Sequence, residues 1–341
     1  MVKYNIPYYF NPEFKQFTDK YNTYIDSIYY TLGLTNIGDA RYQTGYNKVP
    51  DVNLLPESNN IKQYIILNAR FNNPVVYNKS DIRRLINIIE YYEATGIVFL
   101  DAYLLKVISK QSKSFAKYID VIPSVNMFID TYDKYTKTVE FIQSIGFEKS
   151  PSKIILDRSL NRNILSLIEL SKSIRKDNIK VELLANEGCL YRCPYKINHD
   201  ILIALTHFDN RNTVNSAENI NPLFGCIDDY KHDFSKILKS PFIRPDDVYY
   251  YEEYIDTIKI AGRMKDPITM MDIIDAYIHR SYAKNLLVLN DSQGSLSEEY
   301  FIFNDLIPKQ FVEIVTMCDK HCITCNYCNG LINNIYQKLQ K

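Results

Sequence analysis

The residues best able to do chemistry in this 341-residue sequence are its seven cysteines, and they are clustered. Cys318, Cys322, Cys325 and Cys328 fall inside "CDKHCITCNYC", Cys189 and Cys193 form a C-x3-C pair in "NEGCLYRCPYK", and Cys226 stands in "LFGCIDD". Thiols bunched this way ligate metals, carry redox chemistry or form disulfides. Closely spaced runs completed by a remote cysteine are the pattern of iron-sulfur ligation, whereas zinc ribbons set two C-x2-C pairs across a longer stretch. The spacing therefore favours a [4Fe-4S] cluster, with zinc as the alternative. Cys189, Cys193 and Cys226 are one thiolate short of a cubane, and the tail can supply the fourth. Seven thiolates equally suit one complete cubane or two clusters, one of them lacking a cysteine ligand. Among the histidines, His232 is the best non-cysteine candidate for a missing ligand.

Eight short β-branched or aromatic runs must position these groups: 4–10, 25–33, 63–70, 96–102, 120–126, 153–159, 180–188 and 257–263. Each is followed by a helix-length mixture of polar and apolar residues, the reading for βα units. In "SDIRRLINIIEYYEATG" the apolar spacing of three and four predicts a helix with Ser80 as N-cap and Gly96 as stop. No G-x-G-x-x-G or phosphate loop supports an open dinucleotide-binding sheet. The expected fold is an α/β (β/α)8 TIM-like barrel over 1–285, with a long insertion at 189–255 after strand seven. A Cys-rich extension, 286–341, is expected to pack on the barrel mouth. Catalysis in such barrels sits at the C-terminal strand ends, which here carry Asn68, Arg70, Asp101, Asn126, Asp157 and Arg158 as candidate substrate contacts. Asn186, Glu187, Lys259 and Arg263 are the candidate catalytic groups. Each has a plainer explanation as a turn or cap residue; together they would ring one pocket.

Lysine plus arginine and aspartate plus glutamate balance at 40 each, so no global field draws the chain to nucleic acid or an anionic membrane, and only a local basic channel could bind RNA. No apolar run approaches the roughly 18 residues of a membrane span. The start "MVKYNIPYYFNPEF" lacks the sections of a signal peptide, so a cytoplasmic location is expected. Clustered cysteines there are more often metal ligands than disulfides.

The stretches "LLANEGCLYRCPYKINHD" and "SPFIRPDDVYYYEEYIDTIKIAGRMKD" resemble the peptidase U32 family, and the resemblance covers most of residues 60 to 265. It implies a (β/α)8 barrel and, in several members, a [4Fe-4S] cluster near the mouth, with Cys189, Cys193 and Cys226 resembling three of the four ligands. The fourth family cysteine has no counterpart here. The family includes enzymes that hydroxylate ubiquinone precursors or RNA bases without molecular oxygen, with prephenate as oxygen source, and members that work in pairs. The resemblance thus implies an iron-sulfur enzyme acting on a small organic or nucleobase substrate. In that reading Asn186 and Glu187 orient substrate or move a proton, and Lys259 and Arg263 hold a carboxylate. A U32-type peptidase or peptide-binding barrel with structural metal, and an accessory electron-transfer subunit, are the alternatives. Neither an H-E-x-x-H helix nor a G-x-S-x-G elbow is present to support standard hydrolysis.

Overall fold

Side chains alternate between the two faces of a strand, and in this protein the two faces build two separate cores. Tyr29, Tyr64, Ile66, Val98, Ile122, Ile155 and Leu184 belong to a small buried cluster of their own. Their neighbours in the same strands, among them Ile28, Ile65, Ile97, Ile154 and Leu183, join a much larger one. A small inner and a large outer core describe a sheet curled on itself with helices packed outside.

The computed structural model describes residues 1–32, 37–40, 50–207 and 220–340. Its parallel strands are β1 Lys3–Pro7, β2 Ile25–Tyr30, β3 Lys62–Leu67, β4 Gly96–Phe99, β5 Asp120–Pro123, β6 Lys153–Ile155, β7 Lys180–Leu184 and β8 Thr257–Lys259. They are ordered β5-β4-β3-β2-β1-β8-β7-β6, so β1 joins β8 and the sheet is nearly closed. This is the expected (β/α)8 TIM-like barrel. Each of the eight expected runs overlaps one strand, but each strand is shorter than the run, because residues such as Ser124 and Asp157 leave the ladder to cap short 3-10 turns. Gly33, the expected end of the second run, lies outside the described residues.

Helix α1 spans Pro12–Lys20 and α2 Lys79–Tyr91. Asn78, rather than Ser80, caps α2: its side chain accepts the amide of Asp81, directly after the 3-10 turn Pro74–Tyr77. Nor does Gly96 stop that helix. It opens β4, where an added Cβ would lie 2.4 Å from the backbone oxygen of Asp120, so only glycine permits this approach of β4 to β5.

Between β5 and β6 the ladder gives way to side chains. The Asp120 carboxylate accepts the Ser152 amide at 3.0 Å, the Ser152 hydroxyl, and the Tyr64 hydroxyl at 3.0 Å. Higher up, the Asp157 amide donates to the Ile129 carbonyl at 2.9 Å.

The lower interior of the barrel is charged. Glu182 on β7, fully buried, accepts Asn5 of β1 and Thr257 of β8 at 2.9 Å each and pairs with Lys153 of β6 at 2.6 Å. Lys153 also donates to Ser27 of β2 at 2.9 Å. Asp26 lies 3.6 Å from Lys153 and 3.1 Å from Lys180. Burial raises its carboxyl, but the two lysines outweigh burial and hold it below its ordinary range. Breaking a buried pair strands its partner. Glu182→Gln is expected to cost on the order of 3–5 kcal/mol in urea unfolding, near the top of the range for single substitutions.

Candidate active site and metal centre

The C-terminal strand ends converge as expected, and most of their polar groups form one connected chain. Arg70, beyond β3, donates to Asp200 at 2.8 Å and to the Asn126 carbonyl at 2.9 Å. Asp200 accepts Lys196 at 2.7 Å, one turn earlier on α7 (Lys196–Leu205). Lys196 lies 3.8 Å from Glu187, Glu187 pairs with Arg158, and Arg158 returns to the Asn126 side chain at 2.8 Å. The chain joins three cations to two carboxylates and so carries one positive charge in excess. Phe128, whose ring centre lies 5.2 Å from Arg70, holds a left-handed backbone (φ 55°). Such strain in a non-glycine residue is commonest at functional sites.

On the opposite side of the mouth Tyr29 forms a floor. Lys259 holds its ammonium 3.6 Å from the Tyr29 ring centre, and Arg263 lies 5.8 Å from the same ring while bonding Asp39 at 2.6 Å. Such cation–π placement orients an ammonium over the ring.

Other candidates have structural duties. Asn186 is fully buried; it donates to Ala261 at 3.0 Å and Leu289 at 2.9 Å and accepts the Ala261 amide at 2.6 Å. It therefore ties β7 to the strand-eight loop and to the C-terminal segment. Asp101 caps α3 (Ala102–Gln111) and binds Asn72 at 2.9 Å and Tyr77. Asp157 caps the turn that carries Arg158. Asn68 accepts the Ala40 amide at 3.0 Å and donates to Ser124 at 3.3 Å. The partners Asp39, Lys196 and Asp200 were not among the sequence candidates. The only local signal was the Lys196-x3-Asp200 spacing, which puts both on one face of a helix.

The seven cysteines are all free thiols. Gly188, at φ 70°, turns the chain from Glu187 to Cys189, a conformation that favours glycine. Its carbonyl accepts the Tyr230 hydroxyl at 2.7 Å and the Gln293 amide at 3.0 Å. Tyr230 belongs to the helix Cys226–His232. Asp229 of that helix accepts the hydroxyl of Tyr195, two residues past Cys193, at 2.8 Å. One helix thus anchors the segments bearing Cys189, Cys193 and Cys226. The Cys189 sulfur lies 3.8 Å from the Ser292 hydroxyl. His232 points outward, with 76% of its side chain exposed, and binds Asp228 of its own helix.

Burial, reinforced by Glu187, pushes the Cys189 thiol far up against the pull of Lys196 and Arg158. Burial likewise raises Cys193, and lifts Cys226 to about 11. Thiols this far above neutrality are poor nucleophiles, but they are suitable ligands for a metal that displaces their protons. Among the described residues no three histidine, cysteine or carboxylate groups already converge on a single ion. Cys189, Cys193 and Cys226 are thiol donors of the kind that iron-sulfur clusters and zinc both take.

Over 193 residues, 54% of its length, the chain is 33% identical to the uncharacterized protease MJ1657 of Methanocaldococcus jannaschii. The match covers 53% of that relative, so the chain spans about half the length of the curated relative it matches. No family model matches. Among solved structures, the chain is similar to a monomeric phosphoribosylanthranilate isomerase from Thermotoga maritima (11% identity, 60% of this chain, 84% of that one, TM-score 0.31). It is also similar to the carboxyl transferase domain of Rhizobium etli pyruvate carboxylase (10% identity, 82% of this chain, 47% of that one, TM-score 0.39). At these scores neither adds to what the strand order establishes. Among the described residues no helix is long and apolar enough to cross a membrane.

The Asn186 bonds make a direct distinction. Asn186→Ala leaves buried backbone groups unsatisfied, at ~1–3 kcal/mol each, so a marked drop in melting midpoint is expected. An unchanged midpoint with altered turnover would return Asn186 to the candidate catalytic groups.

Proposed function

We propose that this protein is a peptidase U32-like barrel enzyme that holds an iron-sulfur cluster on its rim and acts on a small anionic organic substrate in the mouth. Oxygen-independent hydroxylation, or a related redox modification, is the reaction class that the resemblance favours. One observation carries the reading: buried Cys189 and Cys226 and half-buried Cys193, on segments anchored by one helix, stand beside a charged mouth whose connected chain keeps a net positive charge.

When bound, the cluster supplies one-electron transfer or polarisation of a substrate group. The chain's own residues bind and orient. Lys259, held over Tyr29, presents an ammonium to a substrate carboxylate, and Arg263 adds a guanidinium beside it. Glu187, two residues before Cys189, is the carboxylate placed to take or return a proton, with Arg158 and Lys196 fixing its position. Ser124, held by Asn68, and the Asn126 side chain, held by Arg158, complete the polar wall.

A peptidase is the second reading, favoured by the name of the relative in M. jannaschii. The raised thiols make a cysteine-nucleophile version of it unattractive.

Anaerobic purification with iron and sulfide quantification tests the proposal. Wild type is expected to contain both, with broad visible absorbance bleached by dithionite, and Cys189→Ala to contain measurably less iron per chain. A colourless protein carrying stoichiometric zinc would sink the redox reading.

A further inference from the structure

On several helices the cations have acids beside them. Lys15 of α1 meets Asp19 at 3.2 Å, and on α5 (Tyr132–Ser144) Lys134 meets Asp130 at 2.7 Å and Lys137 meets Glu140 at 2.8 Å. The stretch from α2 to α4 departs from that pattern. α3 and the short helix after it, α4 (Lys113–Tyr118), carry Lys106, Lys110, Lys113 and Lys117, and no aspartate or glutamate lies between Ala102 and Tyr118. α2 adds exposed Lys79, Arg83 and Arg84. Its two acids are already engaged, Asp81 with the Asn78 side-chain amide and Glu90 with the Tyr118 hydroxyl, each at 2.7 Å. Among the described residues only Lys117 of this set meets a carboxylate, that of Glu148 at 3.3 Å. In a chain whose charges balance overall, this is a segregated basic surface.

The surface is one piece. α2 packs on α3 and α3 on α4. The Tyr77 hydroxyl, just before α2, donates to Asp101, the cap of α3, and the Tyr118–Glu90 bond joins α4 to the far end of α2. Helices of a βα barrel begin at the mouth, so Lys79 and Tyr103 stand at the rim and Lys113 and Lys117 toward the opposite end. Tyr103, Lys106 and Lys110, spaced by three and four, share one helix face, with the two lysines about 6 Å apart along the axis. Such a row suits the repeating charge of a polymer better than one small anion. Rings stand among the cations: Tyr103 is 77% exposed, Tyr91 65% and Tyr118 44%, and between residues 79 and 118 they are the only exposed large hydrophobic side chains. Tyr91 is held edge-on by Tyr92, ring centres 5.4 Å apart. It also lines, with Lys79, Arg83, Arg84 and Asn87, a cleft of about 810 Å³ along α2. Lysine is depleted at protein–protein interfaces, and a membrane-binding face shows leucine, phenylalanine or tryptophan. Cations interleaved with flat rings are what a nucleic-acid single strand needs, phosphates going to the first and bases to the second.

We propose that the outer face of α2, α3 and α4 is a docking surface for single-stranded nucleic acid, with Arg83, Arg84, Lys106, Lys110 and Lys113 taking phosphates and Tyr91 and Tyr103 stacking on bases. The docking does not depend on what reaction the mouth performs. These side chains are exposed, so they can be replaced without opening the core.

The test uses the full chain and a fluorescein-labelled single-stranded RNA of about 16 nucleotides, the upper end of such site sizes, with anisotropy read across a salt series. Wild type is expected to bind, its affinity falling steeply as salt rises, because each phosphate neutralised on a single strand contributes about −0.7 to the slope of log affinity against log salt. K106A/K110A/K113A is expected to bind about tenfold or more weakly at low salt and to flatten that slope by about 2, with circular dichroism confirming the fold. The control K137A/K172A, on α5 and the helix Ile164–Arg175, is expected to match wild type. Tyr103→Ala is expected to weaken binding and leave the slope unchanged. No binding by wild type at low salt, or equal losses in the triple variant and the control, overturns the surface. Equal affinity for duplex RNA or heparin overturns the single-strand assignment. A chain that ignores RNA and sediments with vesicles of anionic phospholipid puts a membrane on this face and overturns the proposal.

Discussion

The Lys153–Glu182 pair is the interaction on which the barrel's geometry turns. Both groups are almost fully buried and meet at 2.6 Å, and a charge taken out of water needs such a partner. By binding Asn5, Ser27 and Thr257 as well, they draw together β6, β7, β8, β1 and β2. A purely apolar layer would fill the same space without choosing which residues face one another. A charged layer demands particular partners, so it fixes register as well as closure, and the strand ends above inherit that register.

The upper layer uses the same principle with more water at hand. Arg70, Asp200, Lys196, Glu187 and Arg158 hold one another across β3, β6, β7 and α7. Each of these side chains is oriented by its neighbours before any ligand arrives, which is how a site avoids reorganisation at the moment of chemistry. Tyr29 does the same for Lys259 through its ring.

Much of this was legible in the sequence. Apolar runs punctuated by polar ends gave eight strands in order, because strand cores and turn residues differ in composition. The runs were read too long, since Ser124 and Asp157 cap turns, a choice set by backbone geometry that composition does not encode. The cap of α2 was misplaced because Asn78 and Ser80 are both good caps and only the preceding turn decides between them. At the mouth, Glu187 and Arg158 were visible as strand-end residues, while their partners Lys196 and Asp200 showed locally only as a pair on one helix face, with nothing to say that the face turns to the mouth. Glu182 left a readable trace: a carboxylate between Val181 and Leu183 in a buried parallel strand needs a cation facing it, and Lys153 in "KII" was the matching anomaly.

The unpaired seam between β5 and β6 has a mechanical meaning. A hoop joined by seven ladders and one clasp is not uniformly stiff; it yields first at the clasp, where local opening breaks side-chain contacts and spares the backbone ladders. Asn126 and Arg158 stand on opposite banks of that clasp and hold each other across it. A molecule that settles in the mouth and engages either residue would therefore meet the one side-chain bond that spans the seam at that level.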